Sequence, residues 1–179
     1  MLMNETNYTE IIKDQTKRVL WSINNVIDCI SDEYWNKNYC EMPLWKHIYH
    51  TLHSLDKWYI NPRNYLEPSF HIKDLNNLDI KTDKVLSRNE LKHYFRSIEK
   101  RINQYLNSLT DDILLTKPKN CEWTRFTLIF AQHRHLHSHM GIIIGFIIAE
   151  TGLWSRVLGL EDEIPTGEYN LYFYWLTVK

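Results

Sequence analysis

The stretch from Thr124 to Thr151 contains no proline and is far too long for an ordinary β-strand. Gly152 follows it, and glycine is common just after a helix C-terminus because it readily adopts a positive φ. These features predict one long α-helix. Only five glycines and five prolines occur in the chain, and the prolines leave room for other long helices between them. We therefore expect an all-α fold.

Apolar residues spaced at about 3.6 positions predict three further helices. The first covers about residues 8–31. The second runs from Met42-Pro43, where proline suits the first helical turn, to about residue 61. Ser87 and Glu90 have the spacing of a capping box, which predicts the start of a third helix ending near residue 108.

A long connection, residues 62–86, separates the second predicted helix from the third. Connections of this length are uncommon in compact domains, so we expect a crossover or a lid over a site. In helical bundles, metal sites are built from side chains on facing helices. The predicted fold is an all-α four-helix bundle with a long connection after helix two.

Length and composition limit the classes of function. A chain of 179 residues suffices for one core, so we expect a single domain over residues 1–179, with an aromatic C-terminal extension at about 160–179. This β-prone extension is expected to pack on its own bundle or on a dimer partner. The formal charge of -1 argues against nucleic-acid and anionic-membrane partners. The N-terminus lacks a signal-peptide pattern and the apolar stretch 140–149 is too short to span a membrane, which predicts a soluble cytoplasmic protein.

The three cysteines do not indicate a disulfide framework. Cys29, Cys40 and Cys121 are far apart, odd in number and outside any CxxC pair. We expect small buried thiols rather than a thiolate zinc site.

Four histidines occupy every second position from His133 to His139. On a helix, His135 and His139 lie one turn apart and in line with predicted core positions, whereas His133 and His137 fall outside that stripe. Histidines at i and i+4 can direct both imidazoles at one divalent ion. Two ligands do not make a site, and a pair of hydrogen-bonded, half-buried histidines is the alternative interpretation.

A third ligand is available on the second helix, which contains His47, His50 and His53 at intervals of one turn. Helical phase places all three away from the centre of the apolar face. That position suits a ligand at the open end of a bundle and equally suits a solvated histidine. Periodicity therefore does not choose among them.

The segments 42–58 and 132–145, together with the helix order and the long connection, resemble the DinB/YfiT superfamily of four-helix metal proteins. In that family a histidine follows a helix-starting residue by seven positions, and the last helix contains HxxxH, one further residue and glycine. Pro43 and His50 match the first pattern, and the His135/His139 pair matches the second. Met42 stands where the family often has an aromatic residue. If Trp45 is aligned with that aromatic residue instead, the histidine of the pattern is His53.

The resemblance implies a metal site formed by His50, His135 and His139, with His53 as the alternate third ligand and His47 as the least favoured. Three imidazoles suit Zn²⁺, Ni²⁺ or a related divalent ion and leave a coordination position open. The family includes S-transferases and isomerases that use low-molecular-weight thiols such as bacillithiol or mycothiol, and metal-dependent hydrolases. It implies a small-molecule substrate and a homodimer.

Two other classes of function remain open from the sequence. One is a non-catalytic, stress-related bundle that binds a structural metal, a small ligand or a protein partner. The other is a metal-free histidine patch that responds to pH. A fourth protein ligand would indicate a structural site, whereas exchangeable coordination would indicate a catalytic one.

The sequence does not assign a catalytic residue. Candidate proton-handling groups are Asp56, Glu150, Tyr49 and Tyr59. Asp56 is equally consistent with a solvated charge, and a structural role is favoured for Glu150. Arg134 and Arg156 could attract a carboxylated thiol, although pairing at the surface is the usual role of arginine.

Overall fold

The computed structural model describes residues 7–173, which are mostly helical, as predicted. This part of the chain forms six α-helices, a single 3₁₀ turn at Pro62–Asn64 and a short antiparallel hairpin. The helices are α1 (Tyr8–Asp28), α2 (Asp32–Trp35), α3 (Leu44–Trp58), α4 (Arg88–Asn107), α5 (Asp111–Leu114) and α6 (Arg125–Thr151). The hairpin pairs β1 (Asn38–Tyr39) with β2 (Met42–Pro43).

Local capping interactions set the ends of the long helices. At α4 the predicted capping box is confirmed, because the Ser87 hydroxyl accepts from the Glu90 amide and the Glu90 carboxylate accepts from the Ser87 amide. Helix α6 begins after Thr124, whose hydroxyl accepts from the Thr127 amide, and it ends at Gly152 with a φ of 71°. The predicted bounds of both helices are therefore confirmed.

The second predicted helix is shorter than expected at both ends. Met42 and Pro43 belong to β2, so helix α3 starts at Leu44 and ends at Trp58. Asn61 is extended, with φ −161° and ψ 104°, because a residue before proline is disfavoured in a helix. The turn between the strands also exposes Cys40, whereas the other two cysteines are buried as predicted.

The four long helices pack in a ring. Helix α1 contacts α4 and α6, and helix α3 contacts the same two helices from the other side. Their apolar faces meet in a common core, in which Ile23, Leu52, Phe95 and Ile143 are completely buried. Burial of such side chains contributes about 1.5–3 kcal/mol each and drives the packing.

Helix α6 turns a slightly different face to the core from the one predicted. Leu136 and Met140 lie at the centre of its buried stripe, and His135 and His139 are half-buried beside it. On a helix, the residues three and four positions after Gln132 both lie on the same side as Gln132, and these are His135 and Leu136. The apolar Leu136 packs into the core, and the histidines are left at its edge.

The long connection, for which the sequence predicts a crossover or a lid, lies against α3. Leu75 and Leu86 are completely buried, and the Lys46 ammonium donates to the carbonyl of Ile80. This cover explains why His53 is only 3% exposed, although helical phase places it away from the apolar face. His47, which is 5% exposed, is covered instead by Tyr39 of the hairpin and by Phe146 of α6.

The described part of the C-terminal extension packs on its own chain. Ser155 pairs with Tyr172 in an isolated antiparallel bridge, and the Tyr172 hydroxyl donates to the Cys29 carbonyl at 2.9 Å. The buried amide of Asn25 accepts from the Leu171 amide and donates to the Leu171 carbonyl. The rest of the predicted extension, residues 174–179, lies outside the described residues. Between residues 7 and 173, no helix has both the length and the apolar character needed to cross a bilayer.

Candidate metal centre

Three histidine side chains from two helices converge at the edge of the core. His50 comes from α3, and His135 and His139 come from successive turns of α6. One ring nitrogen of each lies within 4.8 Å of one ring nitrogen of the other two. The ring centroids are 4.4 Å apart for the α6 pair, and they are 4.6 and 5.5 Å from His50 to His139 and His135. Two imidazoles on one tetrahedral zinc ion, with Zn–N of about 2.0–2.1 Å, would place their centroids about 5 Å apart.

His50 makes a hydrogen bond through one ring nitrogen, which leaves the other ring nitrogen available for a metal ion. Its Nδ1 donates to the carbonyl of Asn76 at 2.8 Å. A carbonyl can only accept, so Nδ1 carries a proton, and in the neutral ring Nε2 keeps its lone pair. Metal-binding histidines are usually oriented by such an outer contact.

The pKa of each of the two cluster histidines on α6 is lowered from its ordinary value, which favours the neutral form of the ring. Burial lowers the pKa of His135, and the neighbouring His50 ring lowers it further, because two imidazolium charges would repel each other. Burial and the neighbouring histidines lower the pKa of His139 to about 4. Neutral imidazoles have the lone pairs that a metal ion requires.

The Nδ1 atom of His135 is buried and has no hydrogen-bond partner in residues 7–173. An unsatisfied buried nitrogen costs about 1–3 kcal/mol, so some partner is expected for it. The donor set, two imidazoles one helical turn apart and a third facing them, fits a divalent ion of the zinc class.

The structure separates the three histidines of α3. His50 faces the α6 pair, whereas His47 approaches the carbonyl of Tyr39 with Nε2 at 2.8 Å. His53, the alternate ligand, instead places Nε2 2.7 Å from the carboxylate of Glu67. His53 thus has a partner in the long connection.

The other two histidines of the α6 run have different surroundings. His133 lies between α6 and α1, with Nε2 3.0 Å from the Thr16 hydroxyl, and burial lowers the pKa of this histidine to about 4. His137 is exposed. Both fall outside the three-histidine cluster.

The two acidic candidates for proton transfer are engaged elsewhere. Asp56 accepts from the Tyr94 hydroxyl at 2.9 Å and forms an ion pair with Arg101, and its side chain is only 8% exposed. The interpretation of Asp56 as a solvated charge is therefore wrong. Glu150 accepts from Lys37 and from the Tyr39 hydroxyl, which agrees with the structural role expected for it.

Three of the remaining candidates also have structural partners. The Tyr49 hydroxyl donates to Nδ1 of His71 at 2.6 Å when that nitrogen is unprotonated. The Tyr59 hydroxyl shares a 2.7 Å hydrogen bond with Thr16. Arg156 forms an ion pair with Asp162, as is usual for a surface arginine, and Arg134 is exposed.

Sequence analysis missed the residues that the long connection contributes. Asn76 orients His50 through its backbone, and a backbone contact has no signature in the residue type. Glu67 and His71 approach His53, and their separation by four positions was the only available signal. That signal was not recognised because the segment lacks helical periodicity and contains Pro68.

A cavity of about 700 Å³ lies between α3, α4 and the connection. Tyr65, Phe70 and Tyr94 form part of its wall, and Asp56 and Arg101 supply polar groups. The three converging histidines do not line this cavity. It is therefore a separate feature of the surface.

The fold and the cluster define a class, a helical protein with a three-histidine candidate metal centre. Comparisons of the chain with family models, curated proteins and solved structures returned no match. The DinB/YfiT resemblance therefore stays a prediction carried by two short segments.

Proposed function

We propose that this protein is a divalent-metal-dependent enzyme of the DinB/YfiT type and that His50, His135 and His139 bind the ion. The observation that carries the proposal is the convergence of three ring nitrogens from two helices within 4.8 Å. The ring packing of four long helices, with a long connection between α3 and α4, supports the four-helix bundle of that superfamily.

The residues around the cluster support an ion of the zinc or nickel class. The hydrogen bond to Asn76 directs the lone pair of His50 away from the connection, and burial favours the neutral form of the α6 pair. When bound to three neutral imidazoles, such an ion would retain its full charge and an open position, and it would acidify a thiol or water molecule.

The reaction we favour is transfer of a low-molecular-weight thiol to a small electrophile, with hydrolysis as the related alternative. Hydrolysis generally benefits from a carboxylate that handles the proton of the attacking water. The two carboxylates suggested by the sequence, Asp56 and Glu150, are bonded to Arg101 and Lys37 respectively. A thiol needs less help than water to lose its proton, because the pKa of a thiol is far closer to neutral.

Metal content tests the first part of the proposal. Protein prepared without a His-tag or chelating column is dialysed against increasing concentrations of Zn²⁺ or Ni²⁺ and analysed for bound metal at each concentration, so that an ion bound elsewhere is common to all the proteins compared. We expect His50→Ala and His139→Ala to lower the affinity of this site by more than about 100-fold, because each removes a ligand. His93→Ala is the matched control, since His93 is an exposed histidine on α4. Equal metal binding in all four proteins would refute the ligand assignment.

Activity tests the second part. The metal-loaded protein is incubated with a low-molecular-weight thiol and an aromatic electrophile, and thiol consumption is followed with and without chelator. The same preparations are assayed with an activated ester. Thiol transfer that disappears in His50→Ala supports the transferase, and ester cleavage with the same dependence supports the hydrolase.

A non-catalytic binding function is the second candidate, and the 700 Å³ cavity is the observation that favours it. Its wall includes three aromatic side chains, and the Asp56–Arg101 pair provides polar contacts, as in small-molecule sites. Tight ligand binding at this cavity, combined with no metal-dependent turnover, would favour this candidate over the enzyme.

A further inference from the structure

A second cluster of potential metal ligands joins α3 to the long connection. His53 lies on α3, and Glu67 and His71 lie in the connection. Their ligand atoms are all within 4.8 Å of one another. A Glu67 carboxylate oxygen is 2.7 Å from Nε2 of His53 and 3.8 Å from Nδ1 of His71.

The two imidazoles of this cluster have a separation suited to one ion. Their centroids are 5.1 Å apart, and the ring planes differ by 21°. This agrees with the roughly 5 Å expected for two imidazoles on one tetrahedral zinc ion. Two histidines and one glutamate form a common zinc donor set.

Exposure increases from the helix outward. The side chain of His53 is 4% exposed, that of His71 is 13% exposed and that of Glu67 is 42% exposed. The carboxylate can therefore meet an incoming cation first, while the imidazoles lie in a drier environment where coordination is stronger. This arrangement provides the access route that a metal site needs.

Hydrogen bonds hold the ligands in place without an ion. The Tyr49 hydroxyl donates to Nδ1 of His71 at 2.6 Å, and His53 pairs with Glu67. Tyr49 is itself completely buried, so its position is fixed by the core. Metal binding at Nδ1 of His71 would replace the hydrogen bond from Tyr49 and separate His53 from Glu67 by a few tenths of an ångström.

We propose that His53, Glu67 and His71 form a second divalent-cation site, of the zinc class, that fastens the long connection to α3. This proposal does not depend on the function of the three-histidine cluster. The ion would crosslink a helix to a segment that has no regular hydrogen-bond ladder. Since Asn76, a few residues further on, orients His50, the second site would also steady the support of the first cluster.

The test isolates this site by removing the other. In the His50→Ala/His139→Ala background, two ligands of the first cluster are absent and the second cluster is intact. Zinc binding is measured by isothermal titration calorimetry and by metal analysis after equilibrium dialysis. We expect about one Zn²⁺ per chain in this background.

Further substitutions in this background test whether the bound ion lies at the second cluster. Adding Glu67→Gln and His71→Ala to the background should weaken zinc binding by more than about 100-fold, because two ligands are lost. Adding His93→Ala instead should leave binding unchanged, since that exposed histidine belongs to neither cluster. Glu67→Gln alone preserves the shape and a hydrogen-bond acceptor, so it provides the comparison if the combined variant does not fold. It should weaken binding at least tenfold.

Two results would overturn the second site. One is a folded background protein that binds no zinc. The other is zinc binding that persists at full strength after Glu67→Gln and His71→Ala, or after Glu67→Gln alone where only that variant folds.

Discussion

Replacing Leu136 with alanine tests which face of α6 belongs to the core. Leu136 is 1% exposed, and the residues about one turn before and after it on α6, Gln132 and Met140, are also buried. The change removes three carbon groups, worth about 2.4 kcal/mol at about 0.8 kcal/mol each. The cavity left behind adds to this loss, so we expect the free energy of unfolding to fall by about 3–4 kcal/mol.

The matched control is His135→Ala, one position earlier on the same helix. His135 is half-buried at the edge of the core, and its Nδ1 is unsatisfied. In the presence of chelator, this change removes a poorly accommodated imidazole and introduces a better helix former. We expect the free energy of unfolding to change by less than about 1 kcal/mol.

The assay is urea denaturation of both variants and the wild type, followed by circular dichroism at pH 7 with chelator. For a chain of this size, Leu136→Ala should also lower the midpoint of thermal unfolding by about 6–16 °C. If metal-free His135→Ala lost as much stability as Leu136→Ala, the assignment of the core face would be wrong.

Three further predictions concern buried polar groups and assembly. Because the pKa of His133 is lowered to about 4, its unfolded form binds the proton more readily, and stability falls as pH drops below about 6.5. Between pH 7 and 5, urea denaturation should show the wild type losing about 2 kcal/mol more than His133→Gln. Asp56→Asn weakens the charge-assisted contact with Arg101 and should lower the free energy of unfolding by about 1–2 kcal/mol in the same assay. Sedimentation equilibrium should return a homodimer, and a monomer at all concentrations would refute the predicted assembly.

Local sequence signals predicted much of the helical architecture. The capping box at Ser87 and the glycine after Thr151 set helix ends through contacts with residues a few positions away. They therefore have the same effect wherever the helix lies in the fold. The four-residue spacing of His135 and His139 likewise puts both rings on one helical face before any other helix is considered. These features could be inferred because their causes are local.

The third member of the cluster could not be chosen in this way. His50 and His53 are one turn apart on α3, and helical periodicity does not distinguish them, so only the family resemblance favoured His50. The long connection gives the two histidines different partners, because Asn76 accepts a hydrogen bond from the ring of His50 and Glu67 approaches the ring of His53. That segment has no periodicity from which its path could be inferred.

The sequence by itself determined where the long helices form and which histidines share a face of α6. Only the tertiary structure decided which histidine of α3 meets that pair, and it brought Glu67 and His71 to His53. Caps and helical spacing act between residues a few positions apart, so they can be read from the chain alone. Contacts between α3, α6 and the connection depend on how the whole chain folds to bury its apolar surface.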